Sequence, residues 1–321
     1  LLDEDHILGF DEIEVSKDGA KCKLAEKWMQ KTAVDSELQV NENDTQIHIK
    51  GREFAYTIDR RTALFTEMKF AGREYLNHPM ELNIWRAPTD NDMYIKAEWK
   101  KAHYDKAYTR AYTTEVVQGK HGVKIVSHAS VVAETVQKIL DVTITWKIDA
   151  SGKIDADIEA TKDGEFPDLP RFGVRMFLDK KLSDARYFGM GPQESYRDKH
   201  QAASHGLYRA NVRDLHEDYI RPQENGSHYD CGYVELNNSR YGIVASAEKA
   251  FSFNASYYTQ EELEKKTHNY ELIESDSVVF CVDYALNGIG SNSCGPVVLE
   301  QYRFDDVLFR FQFTLIPYVK G

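Results

Sequence analysis

The stretch KILDVTITWKIDA, residues 138–150, alternates apolar and polar side chains with a period of two. Its apolar residues at even positions are Leu140, Val142, Ile144, Trp146 and Ile148. Such a period is typical of a β-strand that buries one face, because successive side chains point to opposite sides. After the small residues at 150–152 the pattern resumes at Ile154, Ala156 and Ile158, so this stretch predicts a β-hairpin.

Alternating segments of this kind dominate the rest of the chain. The segment FRFQFTLIPY, residues 309–318, predicts another strand, which Pro317 should end because proline cannot donate to a sheet. Further candidate strands are residues 45–49, 53–58, 64–70, 112–117, 123–132, 172–178, 241–246 and 278–285. Helix candidates are residues 93–104 and 257–272, and in the second Thr259 and Glu262 have the spacing of a capping box. Many strands and few helices predict a mainly β fold, a large antiparallel β-sandwich.

Charge and cysteine usage narrow the functional classes. The formal net charge is -12 over 321 residues, and no run of Lys and Arg is interleaved with aromatic residues. This argues against a nucleic acid or an anionic membrane surface as a partner. The four cysteines, Cys22, Cys231, Cys281 and Cys294, are widely spread and form no CxxC pair. That spacing argues against a disulfide framework or a zinc site and favours a reducing compartment.

The first forty or so residues differ from the rest. HILGFDEIEV, residues 6–15, predicts one isolated strand, and the segment that follows is polar and irregular. A single strand cannot bury its own apolar face. We therefore expect its partners to lie on polypeptide outside this sequence, or the strand to dock on the main body. Both interpretations treat the chain as a piece of a longer protein.

A repeated triplet, Pro-Gln-Glu, occurs in GMGPQESYRDKHQAA, residues 189–203, and in YIRPQENGSHYDCGY, residues 219–233. Its glutamates are Glu194 and Glu224. A retaining glycosidase needs two carboxyl groups about 5–5.5 Å apart, so the two could form a catalytic pair. The triplet is also suited to turns, where proline fixes φ and the polar side chains bond to loop backbone. The residues alone favour the turn and leave the catalytic pair open.

A second polar cluster lies in NIWRAPTDNDMY, residues 83–94, and contains Arg86, Asp90, Asn91 and Asp92. Three consecutive oxygen-bearing side chains could bind a cation, but the glycine and distal glutamate of a calcium loop are missing. An Asx turn that caps the following helix is the favoured alternative. A buried ion pair between Arg86 and a neighbouring aspartate would also brace the loop.

A third motif, NGIGSNSCGP, occupies residues 287–296. Its three glycines and small polar residues predict a loop that closely approaches another group. It is not a phosphate-binding loop, because no lysine follows and the chain continues toward a strand. Cys294 could be nucleophilic, although no partner is identifiable by its spacing.

Taken together, four of these stretches carry a family resemblance. NIWRAPTDND, GMGPQESYRDKHQAASHGLY, YIRPQENGSHYDCGYVEL and NGIGSNSCGP resemble, in this order, the C-terminal region of bacterial β-galactosidases of glycoside hydrolase family 2. The resemblance covers roughly residues 43–318, and in some lactobacilli a similar region is a separate small subunit. It implies a large sandwich similar to galactose mutarotase. It also implies two segments: residues 1–42, the tail of a preceding immunoglobulin-like domain plus linker, and residues 43–321, the sandwich.

The resemblance also implies how the functional groups are divided. The two catalytic glutamates of the family, with magnesium and sodium, lie mainly in an upstream TIM barrel that this sequence lacks, so no catalytic residue, metal or cofactor is expected here. By the same resemblance, Cys294 lines the wall of the galactoside pocket, together with Asn292 and Ser293. Structural roles are implied for Arg86, Asp90, Asn91, Asp92, Glu194 and Glu224.

The expected function is therefore to complete a β-galactosidase, with the barrel portion as partner, a β-galactoside such as lactose as substrate, and an oligomeric, cytoplasmic parent enzyme. Two alternatives stay open at this point. A mutarotase-like epimerase would need a histidine and a glutamate that converge on one site. The candidate acids are His200, His205, His216 and His228, and the candidate bases are Glu194, Glu217 and Glu224. A carbohydrate-binding module would need exposed aromatic residues along a groove.

Overall fold

The computed structural model describes residues 9–13, 38–135, 138–290 and 297–320. A first sheet contains β1 (Gln39–Glu42), β2 (Gln46–Lys50), β3 (Phe54–Asp59), β4 (Leu64–Phe70) and β5 (Arg73–Glu74). A second sheet contains β6 (Leu76–Asn83), β7 (Tyr108–Gln118), β8 (Gly122–Val132), β9 (Leu140–Asp149), β10 (Ile154–Lys162), β11 (Arg171–Asp179), β12 (Asp184–Gly191), β13 (Ser204–Asn211), β14 (Ser227–Asn237), β15 (Tyr241–Ser256), β16 (Ser277–Leu286) and β17 (Leu308–Val319). The α-helices of the described ranges are α1 (Ile95–Lys101) and α2 (Gln260–Lys265).

The second sheet branches at its longest strand, β15. The main path runs β13-β12-β14-β15-β17-β10-β9-β8-β7. Residues 241–246 of β15 pair with β17, whereas residues 252–256 pair with β16, which continues to β11 and β6. These pairings are antiparallel, so the predicted mainly β, antiparallel sandwich is confirmed.

The hairpin predicted from residues 138–158 is present as β9 and β10. In its register Trp146 lies opposite Ala156, and Ile144 lies opposite Ile158. All four of these side chains are buried. The alternation thus identified both the strands and the face that the sandwich buries, because a register shift of one residue would turn every apolar side chain to solvent.

Aromatic side chains join the two sheets. Phe65 of the first sheet meets Trp146 of the second edge-to-face, with ring centroids 4.9 Å apart. The indole Nε1 of Trp146 donates to the Ala63 carbonyl at 2.8 Å, and the Tyr56 hydroxyl donates to the Gly152 carbonyl at 2.7 Å. The polar tips of these buried rings are therefore satisfied, which is the condition for large amphipathic side chains to fill a core.

Both predicted helices are present but shorter than the candidate ranges. At α2 the hydroxyl of Thr259 accepts from the Glu262 amide at 3.1 Å, as the predicted cap requires. The second half of the predicted capping box is wrong, because the Glu262 carboxylate accepts from the Ile273 amide at 2.9 Å, on the segment that follows the helix. This glutamate therefore ties the helix to the chain beyond it.

The prediction that Pro317 ends its strand is wrong. Strand β17 continues to Val319, and Pro317 lies opposite Ile243 of β15. On the other side of β17 the pairing with β10 stops at Leu315, so a residue without an amide hydrogen is tolerated beyond that point.

The N-terminal region is described only in part. Strand β1 pairs with β2, so the first sheet begins at Gln39, four residues before the boundary predicted at residue 43. Of the predicted strand at 6–15, residues 9–13 are described and belong to no strand. Glu12 accepts from the His205 amide at 2.9 Å, which places this short segment beside β13. The remaining residues before Leu38 lie outside the described ranges.

Candidate functional site

The motif at residues 287–296 leaves the end of β16 and returns through residues 297–304. We call residues 287–290 and 297–304 the loop stem. Its two sides are joined to each other, since the Gly288 amide donates to the Tyr302 carbonyl at 2.7 Å and the Phe304 amide donates to Asn287 Oδ1 at 2.8 Å. The stem therefore fixes where the intervening residues 291–296 leave and rejoin the fold.

Arg86 is the main brace on the first side of the stem. Its guanidinium donates to the Asn287 carbonyl at 2.6 Å and to the Gly288 carbonyl at 3.0 Å. The same group forms a two-point ion pair with Asp92, at 2.7 and 3.2 Å, and both side chains are buried. The sequence leaves open a buried pair between Arg86 and a neighbouring aspartate, and Asp92 is that aspartate. A planar guanidinium suits this task because it presents several donors in fixed directions.

Asn91 and Thr89, from the same NIWRAPTDND cluster, add to this contact. The Asn91 side-chain Nδ2 donates to the Gly290 carbonyl at 2.8 Å. Asp92 also accepts from the Thr89 amide at 2.9 Å, across the 3₁₀ turn Asp90–Asp92. That contact helps to hold the carboxylate where Arg86 meets it, so one short motif supplies both the turn and the ion pair.

The favoured interpretation, in which this cluster caps the following helix, is wrong. The N-cap residue of α1 is Tyr94, which makes no side-chain capping bond. The turn that the cluster forms lies just before the helix instead. Asp90 joins the loop of the second triplet, where its amide donates to Gln223 Oε1 at 3.1 Å.

A carboxylate from the first triplet region holds the same part of the stem. Asp198 accepts from the Ile289 amide at 3.0 Å and from the Gly290 amide at 2.8 Å. Gly290 has a φ of +73°, a conformation that side-chain-bearing residues rarely adopt. Three motifs that are far apart in sequence therefore meet at the first side of the loop stem, and their polar groups position its backbone.

The second side of the stem is fixed by two arginines. Arg303 Nε donates to the Val298 carbonyl at 2.9 Å. Arg197, the neighbour of Asp198, donates to the Arg303 carbonyl at 2.6 Å. The segment around Arg197 thus contacts both sides of the stem and sets the separation between them.

Glu194 is buried and accepts several hydrogen bonds. Donors to its two oxygens are the Gly226 amide at 2.8 Å, the Lys199 ammonium and the Tyr219 hydroxyl. Gly226 has a φ of +68° and its amide points at the carboxylate, which a bulkier residue in this conformation would not easily allow. Glu194 therefore ties the first triplet to the loop that contains the second.

Glu224 lies in a buried ionic cluster. Its Oε2 is 3.3 Å from Arg171, and Arg171 also pairs with Asp283 at 2.6 Å. Burial raises the pKa of the Glu224 carboxyl, and the nearby Arg171 guanidinium opposes this shift only in part. The amide of Glu224 donates to the Ala87 carbonyl at 3.0 Å, one residue after Arg86. The two triplet glutamates thus join buried networks that link the loops beside the stem.

The histidines considered for an epimerase bond to separate partners. His205 Nε2 lies 2.6 Å from Asp230. His200 Nδ1 lies 3.0 Å from the Tyr196 carbonyl. His216 Nε2 lies 3.6 Å from the carboxylate of the exposed Asp218. The contacts of these three imidazoles are thus with groups other than Glu194, Glu217 and Glu224.

His228 is the buried member of that set. Its Nδ1 lies 3.2 Å from the Met190 carbonyl, and its ring packs against Tyr187 and Phe253. Burial lowers the pKa of His228 from 6.5 to about 4. A neutral ring packed between aromatic side chains serves the core rather than proton transfer to a sugar.

The predicted wall residues, Asn292, Ser293 and Cys294, lie outside the described residues. Across the part of the chain that the structure does describe, no group of three or more His, Cys, Asp or Glu is arranged to hold a metal ion. Among the same residues no helix is long and apolar enough to cross a membrane.

Several groups that hold the stem escape sequence reasoning. Asp198 stands in the stretch YRDKH, and nothing in that stretch indicates that its carboxylate accepts from the distant Ile289 and Gly290 amides. Asn287 begins the third motif, and its amide oxygen reaches the other side of the stem. For the buried Arg171–Asp283 pair the sequence carries no local signal, because the two residues come from different strands.

Comparisons with known proteins match the same region. A sequence profile described as "Beta galactosidase small chain" matches residues 50–315. The chain belongs to this family. A β-galactosidase from Actinobacillus pleuropneumoniae is 42% identical over 316 residues, which are 98% of this chain and 30% of that protein. A β-galactosidase from Staphylococcus xylosus is 32% identical and matches 88% of this chain but 28% of its own length.

This small-chain region therefore spans less than a third of the length of these curated relatives. A solved structure with a similar arrangement is the galactose 1-epimerase from Lactobacillus acidophilus NCFM, with a TM-score of 0.44 and 10% identity. The match covers 90% of this chain and 100% of that one.

Proposed function

We propose that this chain is the C-terminal part of a β-galactosidase and that it completes the enzyme without supplying either catalytic carboxylate. Family membership supports this proposal, as do relatives that carry the β-galactosidase name and are much longer than the matched region. The remaining portion would provide the TIM barrel, its two glutamates and the magnesium and sodium sites. The whole protein would hydrolyse terminal β-galactosides such as lactose as a cytoplasmic oligomer.

The observation that carries the proposal is the loop stem. Arg86, Asn91 and Asp198 direct their polar groups to the backbone of residues 287–290, to both carbonyls and amides. Such bracing is useful if residues 291–296 must reach a fixed place, because a binding wall is precise only when its supports are rigid.

We propose that Cys294, with Asn292 and Ser293, forms that wall of the galactoside pocket. The stem supports this assignment, since it holds both ends of the segment that contains the three residues. A cysteine offers less stacking area than an aromatic residue, so affinity for the group that leaves the galactoside would rest elsewhere.

Glu194 and Glu224 have a different proposed role. Each is buried, Glu194 with donors from neighbouring loops and Glu224 with Arg171 of β11, which keeps both carboxylates away from open solvent. A nucleophile and an acid/base catalyst must instead reach the same sugar. We propose that the two glutamates brace loops beside the stem.

A chimera tests the proposed function. The matching segment of the Actinobacillus pleuropneumoniae β-galactosidase would be replaced by this chain, and hydrolysis of a chromogenic galactoside measured. We expect activity in the chimera, loss of activity when the segment is deleted, and none in this chain alone. Cys294→Ala in the chimera should change KM more than kcat, because a wall residue contributes binding rather than chemistry.

The control for the isolated chain is the double variant Glu194→Gln and Glu224→Gln, purified in the same way. If the unaltered chain cleaved the galactoside and the double variant did not, the two glutamates would be catalytic and the proposal would be wrong. An inactive chimera that folds and assembles like the relative would also contradict it.

A further inference from the structure

A cleft that plays no part in the proposed function opens where the second sheet forks. Residues 241–246 of β15 pair with β17 and residues 252–256 pair with β16, so residues 247–251 between them pair with neither strand. We call the opening between β16 and β17 the fork cleft. Its inner part measures about 210 Å³ and its outer part about 380 Å³, and Tyr284 and Ala250 line both. None of the described residues of the loop stem lines either part.

The two aspartates that line the outer part already have partners. Asp157 is held by Arg310 at 2.5 and 2.7 Å, and Asp155 pairs with Lys153 at 2.8 Å. Glu248, the remaining carboxylate of this part, is exposed. The volume of the outer part lies within the range of about 300–1,000 Å³ that is usual for small-molecule sites. The outer part therefore gives a ligand room, while its aspartates are not available to hold one.

The inner part contains three hydroxyl groups without a hydrogen-bond partner among the described residues. They belong to Tyr229, Ser252 and Tyr284. The two tyrosines are partly exposed. Ser252 is only 5% exposed, yet its hydroxyl oxygen is not closed off from solvent. Each of these groups can both donate and accept, so the inner part presents three open hydroxyls to an occupant.

Arg197 is the cation of the inner part. One of its nitrogens donates to the Arg303 carbonyl at 2.6 Å, and its other N–H groups have no partner among the described residues. Burial raises the pKa of the Tyr229 hydroxyl and of the Tyr284 hydroxyl, and the positive charge of Arg197 opposes both shifts. The guanidinium therefore acts on both tyrosines and has donors to spare for a ligand.

The free charges of the inner part balance each other. Asp306 is exposed and forms no ion pair within the described residues, whereas Asp230 is engaged by His205 Nε2 at 2.6 Å. One free carboxylate thus accompanies one free guanidinium, so a ligand with a net charge of either sign would meet a like charge. An arginine only donates and a carboxylate only accepts. Hydroxyl groups on a neutral ligand satisfy both.

The tyrosine rings distinguish a saccharide from water as the occupant. The Tyr284 ring stacks on Phe309 with centroids 5.2 Å apart, and the Tyr229 ring lies 5.7 Å from the ring of His200. Rings held by such contacts lose little conformational freedom when a ligand packs on them. Their apolar faces can contact the C–H groups of a sugar ring, from which water would gain nothing.

We propose that the fork cleft binds a neutral saccharide, with one sugar unit in the inner part and the rest of the molecule in the outer part. Arg197 and the hydroxyls of Tyr229, Ser252 and Tyr284 bond to its oxygens, and Asp306 accepts from its hydroxyl groups. The proposal is one of binding and assigns no reaction to the cleft. It does not depend on the proposed function, because neither the loop stem nor residues 292–294 take part.

The test is calorimetry and saturation-transfer NMR on the full chain, with galactose, lactose and cellobiose as neutral probes and galacturonate as the charged one. We expect millimolar or tighter binding of at least one neutral probe and weaker binding of galacturonate. Tyr229→Phe and Tyr284→Phe each remove a hydroxyl that has no partner within the described residues, so both variants should fold normally. Each should weaken binding about 5-fold, the value of one hydrogen bond of about 1 kcal/mol.

Asp306→Asn tests the balance of charges, because it leaves the guanidinium of Arg197 without a neighbouring free carboxylate. The affinity for galacturonate should rise relative to that for the neutral probe. Asp305→Asn is the matched control, since Asp305 is exposed beside Asp306 and does not line the cleft. It should leave the ratio unchanged. An unchanged ratio in Asp306→Asn as well would contradict the proposed role of this carboxylate.

The matched control for the tyrosines is Tyr270→Phe, an exposed position that does not line the cleft. Neither it nor Cys294→Ala should change binding, and the second of these separates the cleft from the proposed pocket wall. Thermal unfolding without a probe checks that each variant is folded. Failure of every neutral probe to bind at millimolar concentration would overturn the proposal and leave water as the occupant. Equal binding by the unaltered protein and a folded Tyr229→Phe/Tyr284→Phe double variant would overturn it as well.

Discussion

Two arginine–aspartate pairs in this protein have nearly the same geometry and very different surroundings. Arg86 and Asp92, beside the loop stem, meet at 2.7 and 3.2 Å, and their side chains are 0% and 3% exposed. Arg310 and Asp157, on the outer face of β17 and β10, meet at 2.5 and 2.7 Å, and their side chains are 53% and 20% exposed. Contact distance alone would rank them as equals.

The difference lies in what each pair leaves behind when it is broken. Without Arg86, the Asp92 carboxylate and two stem carbonyls would face a buried space with no solvent to replace the lost donors. Without Arg310, Asp157 would be hydrated and would still have Gln312 as a donor at 3.1 Å. Burial therefore turns a pair of ordinary geometry into a structural requirement, whereas an exposed pair contributes little.

The largest expected effect follows from breaking the buried pair. Arg86→Met keeps most of the side-chain volume but removes the donors to Asp92, Asn287 and Gly288. We expect a loss of about 3–5 kcal/mol in the free energy of unfolding, because a buried carboxylate is left without a counter-charge. Urea denaturation of the purified variant measures it.

The control for this experiment removes the charge on both sides. In Arg86→Met/Asp92→Leu no buried charge is left unpaired, so part of the lost stability should return, although the stem carbonyls stay without donors. A single variant as stable as the unaltered protein would show that burial does not distinguish the two pairs.

Buried His228 extends the comparison to a group that is not in an ion pair. Its burial lowers the pKa of the imidazole from 6.5 to about 4. Between these values the unfolded chain binds a proton and the folded chain does not, so stability should fall as the pH drops from 6.5 to 4. The shift corresponds to a loss of about 3 kcal/mol in the free energy of unfolding, which accumulates as the pH falls through this window to ~4.

The check is the free energy of unfolding measured from neutral pH down to the acid end of that window. His228→Phe should flatten the acid slope relative to the unaltered protein, even if it lowers stability at neutral pH through loss of the contact with Met190. His128 is exposed on β8, and His128→Gln is the matched control that should keep the slope. An unchanged slope in the His228 variant would mean that other groups cause the acid sensitivity.

A contrast between local and distant contacts explains how much of this protein can be predicted from its sequence. Strands such as β9 and β10 are predictable because alternation is a local property, and each residue's face follows from its position. The tolerance of Pro317 within β17 depends on where the partner strand β10 stops, which the sequence of β17 does not contain. The local pattern predicts that a strand is present, whereas the adjacent strands determine where it can end.

The loop stem shows the same division between local and distant information. A pair between Arg86 and an aspartate nearby is predictable, because the two residues belong to one short motif. Its contacts with the Asn287 and Gly288 carbonyls join residues about two hundred positions apart, and nothing in either segment specifies them. Asp198 escapes prediction for the same reason, since a carboxylate that accepts from backbone amides leaves no distinctive spacing.

A smaller effect is expected at Asp198, which is partly buried. Asp198→Asn keeps one acceptor oxygen but turns an amide nitrogen toward either the Ile289 or the Gly290 amide. We expect a loss of about 1–2 kcal/mol in the free energy of unfolding, the range for one hydrogen bond to a charged group. Hydrogen exchange at the two amides should quicken, which would locate the change at the stem.

The matched control is Asp305→Asn, which removes the same charge from an exposed position close in sequence to the stem. It should change neither stability nor exchange at residues 289 and 290. Equal effects in the two variants would mean that net charge, rather than the hydrogen bonds of Asp198, supports the stem.

The smallest expected effect is at the exposed pair. Arg310→Ala should shift the urea midpoint by an amount close to experimental error, because hydration replaces the lost contact with Asp157. The variant should still be visible locally. Hydrogen bonding to Arg310 lowers the pKa of Asp157, and that pKa, followed by NMR titration, should rise in the variant.

Added salt should distinguish the exposed pair from the buried one. About 1 M salt reduces the screening length between exposed charges to roughly 3 Å, whereas buried charges are screened much less. Added salt should therefore raise the pKa of Asp157 in the unaltered protein part of the way toward its value in Arg310→Ala. The loss caused by Arg86→Met should stay almost unchanged in the same buffer. If Arg310→Ala instead destabilised the fold as strongly as Arg86→Met, geometry rather than burial would decide the strength of both pairs.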